Sequence, residues 1–207
     1  MNWLILLAAY LIGSIPTALL VGKYLFNVDI REHGSKNPGA TNTLRVMGKK
    51  AALIVLLVDV AKGMFAASLP LFTGAPIEPL YTGLIAVIGH CFPIFAGFRG
   101  GKAIATTAGT LLIADMEMFF AAYLAFFLVI FVTKYVFFGS ISVGIAMLGY
   151  SFFSPANSEH ALFAGFIIFL IFLHRSNIQN FFNHTEPKIN DKKRKNDRIP
   201  PKNPFKT

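Results

Sequence analysis

Cysteine occurs once among the 207 residues, at Cys91, so no disulfide within the chain can hold it together. Five scattered histidines without a Cys-x-x-C pair offer no zinc pattern. His90 beside Cys91 comes nearest, but inside an apolar run it reads as packed or hydrogen-bonded, because no further ligand follows at a suitable spacing. Acidic residues are scarce, ten Asp and Glu against 19 Lys and Arg, and they form no cluster of the kind that holds Mg²⁺. Charge of either sign makes up only 14% of the chain, while 55% is apolar, a balance that excludes an ordinary soluble domain. The net charge of +9 lies between apolar runs, where basic residues record membrane orientation and contact with anionic lipid, so nucleic acid is excluded as a partner. No Lys or Arg precedes the first apolar run, which argues against a cleaved signal peptide.

What is present is a series of apolar runs, which makes the expected fold an all-α bundle of transmembrane helices. Trp3 to Gly22, with no charge, is long enough to cross a hydrocarbon core about 30 Å thick, and Gly13-Ser14-Ile15-Pro16 predicts a kink within it. Ala51 to Phe72 follows, interrupted by Asp59 and Lys62, which at i and i+3 share one face and are spaced to pair. Such a pair at membrane depth reads equally as a functional element or as a buried structural ion pair. Leu80 to Phe98, Ala103 to Ala114, Met116 to Thr133, Tyr135 to Phe153 and Glu159 to Leu173 complete seven crossings. Ala103 to Ala114 is short enough for a re-entrant segment, but charge decides. With seven crossings, the N-terminus outside and the C-terminus cytoplasmic, every Lys and Arg except Lys62 falls on the cytoplasmic side, whereas a re-entrant segment sends the basic C-terminal residues outside. Residues 1–187 are therefore read as one catalytic transmembrane domain. Residues 188–207, poor in apolar side chains, are read as a disordered cytoplasmic tail whose basic run Lys192 to Lys195 lies near anionic lipid.

Three polar elements fall on the inner face of that topology. Residues 34 to 45 form a glycine-bearing loop, with Thr41 or Asn42 expected to cap the helix that follows. Gly34 and Gly39 allow close backbone approach, and Ser35, Lys36 and Arg45 add a hydroxyl and two cations, a design suited to phosphate. Judged alone, the loop reads more readily as an ordinary capping turn, since short glycine motifs recur by chance. Phe98-Arg99-Gly100-Gly101-Lys102 is a second such turn, and His174-Arg175-Ser176-Asn177 ends the last span. Ser140, at the start of the sixth helix, is a weaker candidate whose position fits helix packing as well, and Arg175 fits an orientation charge. Convergence of such elements beside apolar helices points to an enzyme of lipid phosphates. No histidine has an aspartate five positions later, so the His-x-x-x-x-Asp acyltransferase pair is absent. A transporter of a small phosphorylated solute is the alternative, disfavoured because no matching polar set lies near the outside.

These residues resemble the acyl-phosphate-dependent glycerol-3-phosphate acyltransferases of bacteria, the PlsY family. The resemblance rests on Gly34-Ser-Lys-Asn-Pro-Gly-Ala-Thr-Asn42 with Arg45, on Gly89-His-Cys-Phe-Pro-Ile-Phe95 running to Gly100-Gly-Lys-Ala-Ile-Ala-Thr106, and on His174-Arg-Ser-Asn-Ile178 with Glu186 and Lys188. Lys36, Ala103 and His184 stand where many members have glycine, and Asn180 where Arg is usual. The resemblance implies transfer of an acyl group from acyl phosphate to the 1-hydroxyl of glycerol 3-phosphate, without metal or cofactor. It places the enzyme in the bacterial plasma membrane among membrane lipids, with its active site on the cytoplasmic side and the acyl-phosphate-producing enzyme as an expected partner. By the same analogy, Ser35, Asn37, Gly39, Thr41 and Asn42 hold the acyl-phosphate head, with Ser140 as a helper. Arg45 and Lys102, on the Gly100-Gly101 turn, hold glycerol 3-phosphate, which His174 and Asn177 orient. The base is either His174 or a substrate phosphate oxygen.

Overall fold

The structure is a computed structural model describing residues 2–154, 159–191 and 197–202. Among these residues all regular structure is helical. The chain divides into two compact units, Met1–Ala114 with Lys192–Thr207 and Asp115–Asp191.

In the first unit, α1 (Asn2–Gly13) and α2 (Thr17–Val21) are the two halves of the first apolar run, broken at the expected place. Pro16 has no N–H to give and its ring displaces the preceding turn. The run then widens into a π-helical turn, Gly22–Phe26, closed by Asn27 in the left-handed conformation. After the polar loop, α3 (Ala40–Val46) stops at Gly48, whose positive φ of 89° turns the chain into α4 (Lys49–Thr73). Gly74, also left-handed, ends α4. Helix α5 (Pro79–Cys91) opens with Pro at its first position, where no intrahelical N–H is lost, and α6 (Ile104–Ala114) follows the second polar turn. Helix α4 packs on α5 and α6, and α1 packs on α5 and α4. Side chains at Gly63 or Gly109 would collide with the backbone of the facing helix, Thr106 or Val60, so small residues set the α4–α6 distance.

The second unit consists of α7 (Met116–Thr133), α8 (Val136–Ser151), α9 (His160–Leu173) and α10 (Arg175–Phe182). Asp115 caps α7 by accepting the Met118 amide at 2.9 Å. Only Met118, Ala122 and Tyr123 of α7 are buried, while Phe131 is 73% and Phe127 65% exposed. A helix this apolar with so little protein cover is solvated by lipid.

Among the described residues, four helical stretches are long and apolar enough to cross a membrane: Asn2–Phe26, Lys49–Thr73, Pro79–Ala96 and Met116–Thr133. Helices α9 and α10 pass the same test only as a pair bent by 57°, and α6 and α8 are shorter apolar helices. The expected last span, Glu159 to Leu173, therefore continues past the bend at His174 into an amphipathic helix that the apolar pattern did not reveal.

Of the C-terminal residues, 188–191 and 197–202 are described. The Ile189 amide donates to the Lys134 carbonyl at 2.8 Å. Ile199 donates to Val46 at 2.8 Å, Lys202 donates to Leu25 at 3.0 Å, and the Ile199 side chain covers the cluster of Ala18, Val21, Ile30, Val46, Met47, Ala51 and Val55. The basic run Lys192 to Lys195 lies outside the described residues.

Candidate active site

The first loop is built by internal hydrogen bonds. Asp29 accepts the Arg31 amide at 2.9 Å and grips its guanidinium through both carboxylate oxygens, the shortest contact being 2.6 Å. That charge-assisted bond holds the Asp29 carboxyl below the usual carboxylate range. Arg31 then reaches the Ala96 carbonyl at 2.9 Å, tying the first loop to the stretch that leads into the second turn. Gly34 and Lys36 both have positive φ, 58° and 60°.

Asn42, 2% exposed, closes the loop. Its Oδ1 accepts the Ser35 amide at 2.8 Å, and its Nδ2 donates to the carbonyls of His33 at 3.0 Å and Ile30 at 3.3 Å. This differs from the capping role expected of Thr41 or Asn42. Gly39 is the residue that caps α3, in extended conformation and without a side-chain bond, while Thr41 and Asn42 lie in the first turn. Ser35 and Thr41 are exposed, and Asn37 and Gly39 half-buried, at the loop surface. Arg45 lies half-buried on α3, its Nε enclosed and without a hydrogen-bond partner.

The second turn folds back on the end of α5. Gly100 donates to the Cys91 carbonyl and Gly101 to the His90 carbonyl, both at 3.1 Å. Any side chain on Gly100 would strike those carbonyls, and one on Gly101 would strike the His90 ring and crowd the Pro38 carbonyl of the first loop. Lys102 follows, half-buried, and Ala103 adopts φ 55° before α6 begins. Pro38, Arg99, Gly100 and Gly101 line a common cleft, so the first two polar elements, whose Gly39 and Gly100 are 61 residues apart in sequence, adjoin one another.

Ser140, His174 and Asn177 belong to the second unit. Ser140 is 2% exposed and donates to the Val136 carbonyl of its own helix at 3.1 Å. His174 sits at the α9–α10 bend, where its Nδ1 is 2.9 Å from the Leu170 carbonyl. A carbonyl only accepts, so Nδ1 carries a proton in this contact. Asn177 donates to Glu186 Oε1 at 2.6 Å, and Asn180 approaches the other oxygen at 3.5 Å. Glu186 thus orients Asn177, a function its place in the third signature hinted at but spacing alone did not assign. The Asp29–Arg31 clamp had no sequence signal beyond two opposite charges in a loop.

The family profile described as glycerol-3-phosphate acyltransferase matches residues 3–184. A glycerol-3-phosphate acyltransferase of Geobacillus kaustophilus is 48% identical over 194 residues, covering 91% of this chain and 96% of the relative. One of Bacillus subtilis is 45% identical over 186 residues, covering 90% and 96%. Among solved structures, the crystal structure of PlsY (YgiH), an integral membrane glycerol 3-phosphate acyltransferase in its glycerol 3-phosphate form, superposes with a TM-score of 0.81 at 30% identity, covering 90% of this chain and 94% of that one. Its lysophosphatidic acid form gives a TM-score of 0.78 at 28% identity, with the same coverage. Signature loops, helical membrane fold and near full-length similarity coincide, and this chain belongs to the PlsY family of integral membrane glycerol-3-phosphate acyltransferases.

Proposed function

We propose that this protein transfers a fatty acyl group from acyl phosphate to the 1-hydroxyl of glycerol 3-phosphate, releasing 1-acylglycerol 3-phosphate and inorganic phosphate. The observation that carries this reading is the Arg45 Nε, enclosed yet partnerless, on the helix that follows the phosphate-type loop. Enclosing an arginine donor without a partner costs free energy, which an anionic substrate returns. The two forms in which the related PlsY was crystallised, with glycerol 3-phosphate and with lysophosphatidic acid, are substrate and product of this reaction.

In this reaction the glycerol 3-phosphate hydroxyl oxygen attacks the acyl carbonyl carbon, the carbon–oxygen bond to phosphate breaks, and phosphate leaves with its electron pair. Because the donor is already activated, the protein's task is to align two anions, screen their repulsion and stabilise the developing oxyanion. Ser35, Asn37, Gly39 and Thr41 hold the acyl-phosphate head, with Asn42 shaping the loop and Ser140 assisting. Arg45 and Lys102, on the Gly100–Gly101 turn, hold glycerol 3-phosphate, with His174 and Asn177 orienting its hydroxyl. The proton goes to Nε2 of His174 or to a substrate phosphate oxygen. No metal or cofactor enters the scheme. Seven crossings with the N-terminus outside put these residues at the cytoplasmic face of the bacterial plasma membrane, within reach of membrane lipids and of the enzyme that makes acyl phosphate.

The test is purified, EDTA-treated protein offered glycerol 3-phosphate with acyl phosphate, acyl-coenzyme A or acyl carrier protein in turn, measuring lysophosphatidate. Product from acyl phosphate alone is expected, since a thioester brings no compact anion to the first loop. Comparable turnover with a thioester, a strict need for added metal, or no product from folded protein would sink the assignment.

A further inference from the structure

The reaction as proposed leaves unused a buried polar cluster in the first unit. Asp59 is 2% and Lys62 5% exposed, and Lys62 Nζ lies 2.8 Å from Asp59 Oδ1. Lys62 also donates at 3.0 Å to the Ile15 carbonyl, which accepts the Thr17 amide at 3.0 Å as well. The Thr17 hydroxyl donates to the same Asp59 oxygen at 3.0 Å. The His90 ring faces that oxygen, its Nδ1 3.6 Å away, and Thr106 Oγ1 stands 3.3 Å from the same nitrogen. On the far side of the ring, Nε2 abuts Gly101 so closely that no side chain fits there. The His90 carbonyl meanwhile accepts the Gly101 amide at 3.1 Å.

His90 therefore grips the Gly100–Gly101 turn with both ring and backbone, while Asp59 and Thr106 fix the ring. A buried ion pair returns little net stability compared with apolar residues of the same volume. Rotational control of the ring is a function that apolar residues cannot replace.

We infer that His90, held by Thr106 and Asp59, is a positioning residue that sets the Gly100–Gly101 turn and so places the Lys102 ammonium for glycerol 3-phosphate. This inference rests on the reading of Lys102 as an anchor of that substrate. The chain of contact runs from α4 and α6 through the ring to the turn, and Lys102 is the next residue. Asp59 acts through His90, while Lys62 and His90 both line the cleft shared with Gly100 and Gly101.

The test is steady-state kinetics with each substrate varied, on purified full-length Thr106→Val, His90→Gln, the double variant Asp59→Asn/Lys62→Met, and Lys102→Ala as reference. Thr106→Val removes one hydroxyl at constant volume, and the double variant strands neither charge. The expected result is a rise of about three- to tenfold in KM for glycerol 3-phosphate, the scale of one hydrogen bond, with KM for acyl phosphate and the melting temperature little changed. Thr106→Ser restores the wild-type value. On a Lys102→Ala background Thr106→Val adds less than about twofold, because its effect passes through the missing lysine. An unchanged glycerol 3-phosphate KM in folded Thr106→Val and His90→Gln, with a raised one in Lys102→Ala, overturns the inference and leaves the functional reading intact. Equal effects on both substrates, or full additivity with Lys102→Ala, also overturn it. No effect of Lys102→Ala overturns the assignment of Lys102 itself, and the inference falls with it.

Discussion

Asn42 accepts the Ser35 amide at 2.8 Å, so a buried side chain on α3 determines where the exposed hydroxyl of the first loop stands. Replacing Asn42 by Ala removes the partner of the Ser35 amide and one of the donors to the Ile30 and His33 carbonyls, which keep the His33 and Lys36 amides. The expected cost is about 1–3 kcal/mol of stability, with a higher KM for acyl phosphate. Thermal unfolding and kinetics in detergent check both. Wild-type values in both measurements would show that the loop does not depend on this clasp.

Arg45 gives a contrasting expectation. Its Nε makes no internal hydrogen bond, so Arg45→Ala is expected to leave the melting temperature nearly unchanged. Catalytic efficiency toward glycerol 3-phosphate falls by about ten- to a hundredfold, the scale of a charge-assisted contact. Lys restores the charge but not the planar fork, so Arg45→Lys recovers only part of it. Unchanged kinetics in folded Arg45→Ala would remove this residue from the site.

His174→Gln separates proton transfer from positioning. Gln does not titrate, so if Nε2 of His174 takes the hydroxyl proton, activity drops by about 10²–10⁴-fold and the low-pH limb of the rate profile vanishes. Retained activity with the same limb would assign the proton to a substrate phosphate.

Three positions where many family members carry glycine are left-handed here: Lys36 at φ 60°, Ala103 at 55° and His184 at 56°. An L-residue pays for that conformation, and glycine does not. Lys36→Gly and His184→Gly, both exposed, are each expected to raise stability by about 0.5–1 kcal/mol, net of glycine's larger unfolded-state entropy. Ala103→Gly gains less, since a methyl on a residue only 3% exposed is lost. Lower melting temperatures for all three variants would refute the strain argument.

The Asp29–Arg31 clamp carries an acid dependence. Its hydrogen bond to Arg31 lowers the Asp29 pKa below the unfolded value of about 3.9, so the clamp stabilises the fold fully above that pH. That contribution disappears as pH falls through the folded pKa. Asp29→Asn should therefore be less stable than wild type at neutral pH and lose the difference below about pH 4. Unfolding midpoints across pH 2–7 supply the test, and parallel curves would exclude a role for Asp29 titration.

Much of this architecture is local in origin and was legible in the chain. Pro16 breaks the first helix wherever it is placed, because a missing N–H and a ring clash need no tertiary partner. Asp59 and Lys62 meet because i and i+3 share a helix face. The glycine-rich elements announced themselves by residue types that only turns and close approaches require. Tertiary structure decided what those residues touch. Asn42 reads as a cap or a ligand in sequence and becomes the loop's clasp only because the chain before it folds back within reach. His90 reads as a packed apolar-run histidine, and its grip on Gly101 exists only because α4, α5 and α6 converge. Ile199 docks onto a core patch that forms only once α2, α3 and α4 have packed, a site no composition average contains. Periodicity and backbone chemistry act over a few residues and can be read along the chain, whereas a hydrogen bond or an apolar contact between distant segments depends on where packing brings them.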